Sequence, residues 1–206
     1  MPTKKLIYQF KITLKDTKPP IWRRIQVPST YNFWDLHVSF QDAMGWKDYH
    51  LHEFIIKDPL TSELIYIGIP DEQSDYDLER TTLPGWKHKI SKYISLINPT
   101  IEYIYDYGDN WQHKVVLEEI LPVEKDVKYP RCIQGKRNGP PEDCGGPWGY
   151  LDMLEVLSEP KNIDYQNTKA WIESMKEGPF YPEHFNPSEV VFDDPKERFK
   201  IAFHEE

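Results

Sequence analysis

The stretch that decides the fold is LIYQFKITLKDTKPPIWRRIQVPSTYNFWDLHVSFQDAM, residues 6–44. Apolar and polar side chains alternate over residues 6–14 and again over residues 21–27, which is typical of half-buried strands. Over residues 33–44 the apolar side chains recur every three or four positions, which predicts a helix capped by Ser29 or Thr30. The chain therefore begins with two adjacent strands, or a β-hairpin, followed by a helix.

Strand patterns continue beyond this segment and then give way to helical patterns. Further strands are predicted near residues 52–58, 64–68, 101–106 and 111–121. A loop rich in proline and glycine is expected over residues 122–147. Helices are predicted near residues 150–157, from Asp164 to about Lys176 with Trp171 and Met175 buried, and near residues 195–203.

This order of elements predicts an α+β fold. We expect a mostly antiparallel mixed sheet with helices packed on one side, and a helical carboxyl-terminal part. Residues 1–206 are expected to form a single domain, strand-rich over 1–121 and composed of loop and helices over 122–206.

Composition and charge narrow the classes of protein. Aromatic residues make up 14% of the 206 residues, which excludes a disordered chain because disordered segments cannot bury enough apolar surface. The formal net charge is −9, divided as +4 over residues 1–50 and −13 over the rest. Because a net acidic chain suits a phosphate backbone poorly, nucleic acid is not an expected partner. Weak nucleic-acid binding is kept as a third functional hypothesis, after the two given below. It would use the amino-terminal basic side chains Lys4, Lys5, Lys11, Arg23 and Arg24.

The sequence also bears on cellular location. The amino-terminal residues do not resemble a signal peptide, and no apolar run reaches the roughly 18 residues that a membrane helix needs. Two cysteines, Cys132 and Cys144, are too few for a secreted disulfide scaffold, so reduced thiols are expected. We expect a soluble, cytoplasmic protein without a membrane partner.

Unusual residue types concentrate in YDYGDNWQHK (105–114) and YPRCIQGKRNGPPEDCGGPWGY (129–150), whereas familiar nucleotide-binding and hydrolase motifs are absent from the sequence. In the first segment, a turn over residues 107–110 would place Asp106 opposite Trp111 and diagonal to His113. Such an Asp–His pair could orient the imidazole for acid–base chemistry or metal binding. The alternative is a polar sheet surface in contact with water.

The second segment leads into a helix. Gly145 and Gly146 permit backbone conformations that other residues avoid, and Pro147 suits the first helical position. The free amide groups at this helix start could bind a phosphate or a carboxylate with the help of upstream basic side chains. Alternatively, the carboxylates of Glu142 and Asp143 occupy that position themselves.

A divalent metal ion is a further possible ligand. His50 and His52 share one face of a predicted strand, at a spacing from which two imidazoles can converge. With His113, or with Glu142 or Asp143, they would form a nitrogen and oxygen site with an open coordination position. The metal candidates are thus His50, His52, His113 and Glu142. The alternative is that one histidine caps a turn and the other faces solvent.

These segments resemble the plasmid pRiA4b ORF-3-like family. The resemblance rests on PPIWRRIQVP (19–28), AMGWKDYHLHEF (43–54), YDYGDNWQHKVVLEE (105–119) and YPRCIQGKRNGPPEDCGGPWGYLDMLE (129–155). It implies a family without an established biochemical function. The residues that match the family pattern, and that form the candidate pocket, are His50, His52, Asp106, Asp109, Trp111, His113, Glu142, Asp143, Gly145 and Gly146.

The leading functional hypothesis is an uncharacterised binding or accessory module. The candidate residues would converge on one polar pocket for a small molecule or a protein partner. The alternative from another class is a metal-assisted hydrolase that uses a histidine and carboxylate site.

Overall fold

The computed structural model describes residues 5–71, 73 and 80–203. Lys4, one of the basic side chains considered for nucleic-acid binding, lies outside these residues.

Eight strands form one mixed sheet in the described residues. They are β1 (Leu6–Leu14), β2 (Trp22–Pro28), β3 (His52–Lys57), β4 (Leu64–Gly68), β5 (Thr82–Pro84), β6 (Thr100–Tyr105), β7 (Trp111–Pro122) and β8 (Arg131–Lys136). The order across the sheet is β5-β4-β3-β6-β7-β1-β2-β8. The β4–β5 pair is parallel, and the remaining neighbours are antiparallel. The predicted α+β class with a mostly antiparallel mixed sheet is confirmed.

Five helices accompany the sheet in the part of the chain that the structure describes. They are α1 (Phe33–Met44), α2 (Ile90–Tyr93), α3 (Gly146–Ser158), α4 (Tyr165–Met175) and α5 (Pro195–Phe203), with short 3-10 turns at Gly85–Lys87 and Pro187–Glu189. The helix predicted over residues 33–44 has the predicted limits. Trp171 was predicted to be buried in α4, but its side chain is 38% exposed and Ile172 is the buried residue.

The core lies between α1 and the sheet. Phe33 and Phe40 of α1 are buried and contact Phe54 of β3, with ring centroids 5.1 and 5.8 Å away. Phe40 also packs edge-on against Tyr103 of β6 at 5.2 Å. These apolar contacts fix α1 over the central strands, and the loop that follows α1 therefore ends beside the start of β3.

The cap of α1 differs from the prediction. Asn32, rather than Ser29 or Thr30, precedes the helix, and its side chain accepts a hydrogen bond from the Asp35 amide. The Asp35 carboxylate accepts one from the Asn32 amide in return, which completes a capping box. Ser29 and Thr30 lie too early because β2 continues to Pro28.

Strand β8 falls in the segment predicted as an irregular loop. Residues 131–136 pair with β2 in antiparallel register, and the register shifts between Arg24 and Ile25. The sequence lacks the alternation of a half-buried strand here, because β8 lies at the sheet edge and most of its side chains are partly exposed.

The last helix returns to α1. The indole nitrogen of Trp34 donates to the Pro195 carbonyl oxygen at 2.8 Å. The Arg198 guanidinium contacts carboxylates of Asp193 at 2.7 Å, Asp48 at 3.3 Å and Asp42 at 3.6 Å. These contacts tie the carboxyl-terminal helix to α1 and, through Asp48, to the loop that follows α1.

Most of the basic side chains near the amino terminus that the structure describes form contacts with other residues of the protein. Arg23 is buried and its Nε donates to the Ala43 carbonyl oxygen at 2.6 Å. Arg24 forms an ion pair with Glu118 at 2.6 Å, and Lys11 lies over the Trp22 ring. This arrangement weakens the case for a nucleic-acid surface.

None of the helices in the described part of the chain combines the length and the apolar character needed to cross a membrane.

Candidate functional site

The turn between β6 and β7 is one residue longer than predicted, and this changes the candidate site. Tyr105, not Asp106, lies opposite Trp111, and Tyr103 lies opposite His113. Asp106 leaves the strand with φ at 58°, and its carboxylate accepts hydrogen bonds from the amides of Gly108 and Asp109. The predicted register, and with it the Asp106–His113 pair, is therefore wrong.

Asp106 instead meets His50 at the end of the sheet. Because β3 and β6 are antiparallel, the start of β3 and the end of β6 lie side by side, and the Asp106 amide donates to the Leu51 carbonyl oxygen at 2.9 Å. His50 Nε2 lies 3.6 Å from Asp106 Oδ2 and 2.9 Å from Asp143 Oδ1. His50, Asp106 and Asp143 form what we call the loop cluster.

The His50 Nε2 atom is buried yet makes no hydrogen bond with any described residue. The Asp143 oxygen is close but does not lie in the direction of a hydrogen bond from the ring, and the Asp106 oxygen lies beyond hydrogen-bond distance. The three donor atoms lie within 4.8 Å of one another. One imidazole nitrogen and two carboxylate oxygens this close together form a donor set suited to a divalent transition metal.

Glu142 holds the loop that carries His50. Its carboxylate accepts hydrogen bonds from the Lys47 amide at 2.8 Å and from the Tyr105 hydroxyl. The Tyr105 hydroxyl also accepts from the Tyr49 amide at 3.0 Å. Burial, and then the hydrogen bond to Glu142, raise the pKa of Tyr105 above its ordinary value. The hydroxyl therefore stays protonated and donates a hydrogen bond to the carboxylate. Glu142 is thus a positioning residue for His50, not a member of the loop cluster.

Asp109 connects the β6–β7 turn to the start of α3. Its carboxylate accepts a hydrogen bond from the Gly145 amide at 3.2 Å. Gly145 and Gly146 have φ of 85° and 68°, the left-handed region that favours glycine. Glu142 and Asp143 were one prediction for the cap of this helix, but α3 has no side-chain cap and both carboxylates face other groups.

His52 belongs to a second, buried group with His37 and Asp48. The rings of His37 and His52 stack at 3.4 Å with planes 7° apart. His37 Nε2 lies 2.7 Å from Asp48 Oδ1, and its Nδ1 lies 2.8 Å from the Tyr103 hydroxyl. Imidazole lone pairs lie in the ring plane, so two parallel stacked rings cannot direct them at one ion. This group is therefore a core arrangement, although its donor atoms are close together.

His113 and Trp111 are also core residues. His113 is fully buried, its Nδ1 lies 3.3 Å from the Tyr103 carbonyl oxygen, and its ring packs edge-on against Trp46 at 5.4 Å. Burial lowers the pKa of His113 to about 3, so the ring is neutral at physiological pH. Trp111 is fully buried and its ring lies 5.8 Å from that of Trp46.

The four predicted metal candidates therefore do not form one site. Among the described residues, His50 groups with Asp106 and Asp143, and His52 groups with His37 and Asp48. His113 and Glu142 belong to neither group. The prediction failed because His50 precedes β3 and lies in a loop, while His52 is the first residue of the strand and faces α1.

The two cysteines take no part in either group. Cys132 and Cys144 are free thiols. Burial raises the pKa of Cys144 to about 12 and that of Cys132 above its ordinary value, which opposes thiolate formation at neutral pH.

Exposed aromatic side chains lie near the loop-cluster residues in the sequence. Tyr49 precedes His50 and is 63% exposed, Tyr107 follows Asp106 and is 41% exposed, and Trp148 near the start of α3 is 77% exposed. Aromatic side chains of this kind are favoured where one protein contacts another or a ligand.

Sequence reasoning missed Tyr105 and Asp48, which both act through hydrogen bonds. Tyr105 had the signal of a buried strand position, and only the structure reveals that its hydroxyl reaches Glu142. Asp48 lies two residues before His50 and has φ of 64°, a conformation that the sequence GWKDYH does not reveal.

The chain is thus an α+β protein whose mixed sheet carries the loop cluster at one end. A family model described as "Plasmid pRiA4b ORF-3-like protein" matches residues 6–189. This chain belongs to that family.

Two relatives have no assigned activity. The chain is 32% identical over 172 residues to "Uncharacterized protein y4hQ" from Sinorhizobium fredii, with 80% of each chain covered. A crystal structure of MM3350, a protein of unknown function from Methanosarcina mazei Go1, shares 44% identity with a TM-score of 0.82, over 92% of this chain and 100% of that one. The family and these relatives are thus of uncharacterised function.

Proposed function

We propose that this protein is a binding module and that its binding site contains a divalent transition-metal ion held by His50, Asp106 and Asp143. The observation that carries the proposal is the buried His50 Nε2, which has no hydrogen-bond partner among the described residues and lies between two carboxylates. A protonated histidine held only by ion pairs would direct its N–H at an oxygen, whereas a metal ligand directs a lone pair at an ion between the donors.

The backbone around the loop cluster supports this proposal. Asp106, Asn110 and Asp143 all have positive φ, which is uncommon for residues other than glycine. Aspartate and asparagine adopt this conformation more readily than most residues, and six other non-glycine residues of the described chain share it, so its contribution here is to orient the two carboxylates. The carboxylates of Asp106 and Asp143 face His50 from these loop conformations.

Three protein ligands leave coordination positions for a further group. A transition metal of the zinc type takes four or more ligands, so a bound ion would present an open position to a small molecule or to a side chain of a partner. The exposed Tyr49, Tyr107 and Trp148 lie next to the cluster in the chain and supply apolar contact area for that partner. The metal-assisted hydrolase stays a hypothesis without its predicted ligands, because His52 and His113 are core residues.

The test is metal binding by protein purified without a histidine tag. Titration with Zn²⁺ by calorimetry, and with Co²⁺ by its visible spectrum, should show about one ion per chain with a dissociation constant below about 10 µM. Less than about a tenth of an equivalent of bound metal at saturation would overturn the proposal.

Variants identify the ligands. His50→Gln and Asp143→Asn should each weaken binding at least about tenfold. Asp106→Asn keeps an oxygen for the turn amides and should also weaken it. His184→Gln is the control, since His184 lies with Glu189 in a separate histidine–carboxylate pair at 2.8 Å that is exposed to solvent. Equal weakening by His184→Gln would show that the ion binds the surface nonspecifically.

A further inference from the structure

A cavity between α3, α4 and the segment after α4 lies apart from the loop cluster. Its volume is about 420 Å³, within the range of small-molecule sites. Apolar walls come from Leu154, Leu157, Ile172 and Phe180. One charged side chain in this lining, Arg137, is almost wholly buried, with 4% of its side chain exposed.

The guanidinium of Arg137 is only partly satisfied. Its Nη1 donates to the Pro19 carbonyl oxygen at 2.8 Å, and its Nη2 lies 2.8 Å from Glu183 Oε1. Its Nε is buried and has no hydrogen-bond partner among the described residues. Nε and Nη2 form one edge of the guanidinium, which a carboxylate can bind through two parallel hydrogen bonds. Glu183 uses only one of these two donors.

Glu183 is a replaceable partner. Its side chain is 68% exposed, and an ion pair with so exposed a carboxylate contributes little stability. A carboxylate that approaches through the cavity could engage both Nε and Nη2 and bury an apolar group against the leucine and phenylalanine side chains. Lys169, the second basic side chain in the lining, lies 3.8 Å from the carboxylate of Glu173, so these two charges offset each other and Arg137 is the cation available to an anion.

We propose that this cavity binds a small amphipathic monocarboxylate, with the carboxylate on Arg137 in place of Glu183 and the apolar part between α3 and α4. The buried guanidinium supplies the selectivity for an anion, and the apolar walls supply the selectivity for a hydrocarbon or aromatic tail. The proposal does not depend on the loop cluster.

Octanoate is the probe, with 1-octanol and acetate as comparators that lack the charge and the tail. Calorimetric titration of the full chain should show saturable octanoate binding. Each comparator should bind at least about tenfold more weakly. Absence of saturation up to about 5 mM octanoate, or equally tight binding of 1-octanol, would overturn the proposal.

Two isosteric variants separate this proposal from a general charge effect. Glu183→Gln frees Arg137 and should tighten octanoate binding about threefold to tenfold. Glu173→Gln removes the same charge from another part of the lining and should change the affinity less than about twofold. Equal tightening by both variants would contradict displacement of Glu183.

Arg137→Met tests the guanidinium directly. If this variant folds, as judged by circular dichroism, its preference for octanoate over 1-octanol should disappear, and a retained preference would overturn the proposal. If it does not fold, the comparison of Glu183→Gln with Glu173→Gln decides the question.

Discussion

Gly146 joins the start of α3 to the β6–β7 turn, and no other residue fits there. Its φ is 68°, and a Cβ atom at this position would lie 2.2 Å from the Asp109 carbonyl oxygen. Gly146→Ala should therefore lower the free energy of unfolding by about 3 kcal/mol, because alanine must adopt a left-handed backbone and overpack against the main chain. Urea denaturation followed by circular dichroism measures this change.

Gly178→Ala is the matched control at the residue scale. A Cβ atom there meets nothing within 4 Å, and Gly178 is not among the glycines with positive φ. Its effect should stay within about 0.5 kcal/mol. A similar loss for both variants would show that the contact with Asp109 does not determine the cost.

Asp106 shows why the site could be predicted only in part. The sequence placed His50, Asp106 and Asp143 among the candidates, and the structure brings these three together. It did not reveal that Asp106 turns to φ of 58° and caps the turn, because aspartate is compatible with either a strand end or a left-handed turn residue. Because of this one backbone conformation, the Asp106 carboxylate lies near His50 and not near His113.

At the scale of elements, the capping box on α1 is a testable contribution to stability. Asn32→Ala removes the acceptor for the Asp35 amide and should destabilise the protein by about 1 kcal/mol. Asn186→Ala is the control, since Asn186 caps only the exposed 3-10 turn at Pro187–Glu189, and its effect should be below about 0.5 kcal/mol. Equal midpoints for both variants in urea would contradict a specific role of the α1 cap.

The periodicity of the sequence predicted the elements that lie at the centre of the fold. The apolar core residues of helix α1 and strand β1 recur with the helical or strand period, although each of these elements is buried on more than one side. Strand β8 and the short β5 lie at the two edges of the sheet, where most side chains are partly exposed and the pattern is lost. Their pairing depends on neighbours that are distant in sequence, which local patterns do not report.

At the scale of the whole molecule, buried neutral histidines make stability depend on pH. Burial lowers the pKa of His113 to about 3, and burial followed by the charge of His37 lowers that of His52 well below its ordinary value. The unfolded chain binds protons at these rings below about pH 6.5, whereas the folded chain does not. The contribution of His113 is thus complete above about pH 6.5 and is lost progressively as the pH falls towards 3, and that of His52 is lost in the same direction.

His113→Gln should remove the one proton that the unfolded chain binds at this position and that the folded chain does not bind. Between about pH 6 and 4, the slope of the unfolding free energy against pH should fall by about 1.4 kcal/mol per unit relative to wild type. The difference between slopes is the readout, because burial raises the pKa of Asp42 to about 7 and acts in the opposite direction. An unchanged slope in His113→Gln would contradict the assignment.

The sheet edges limit how this protein can recognise a partner. Strand β5 spans only Thr82–Pro84 and ends in a residue without an N–H group, and the 3-10 turn at Pro187–Glu189 packs against β8. At Gly135 of β8 a Cβ atom would lie 2.3 Å from the Phe185 ring, so that segment sits directly on the strand. Little edge is left on which an extended peptide could add as a further strand. Recognition of a partner would therefore depend on side chains and cavities, where the identity of each residue matters. It would not depend on main-chain pairing, which tolerates almost any sequence.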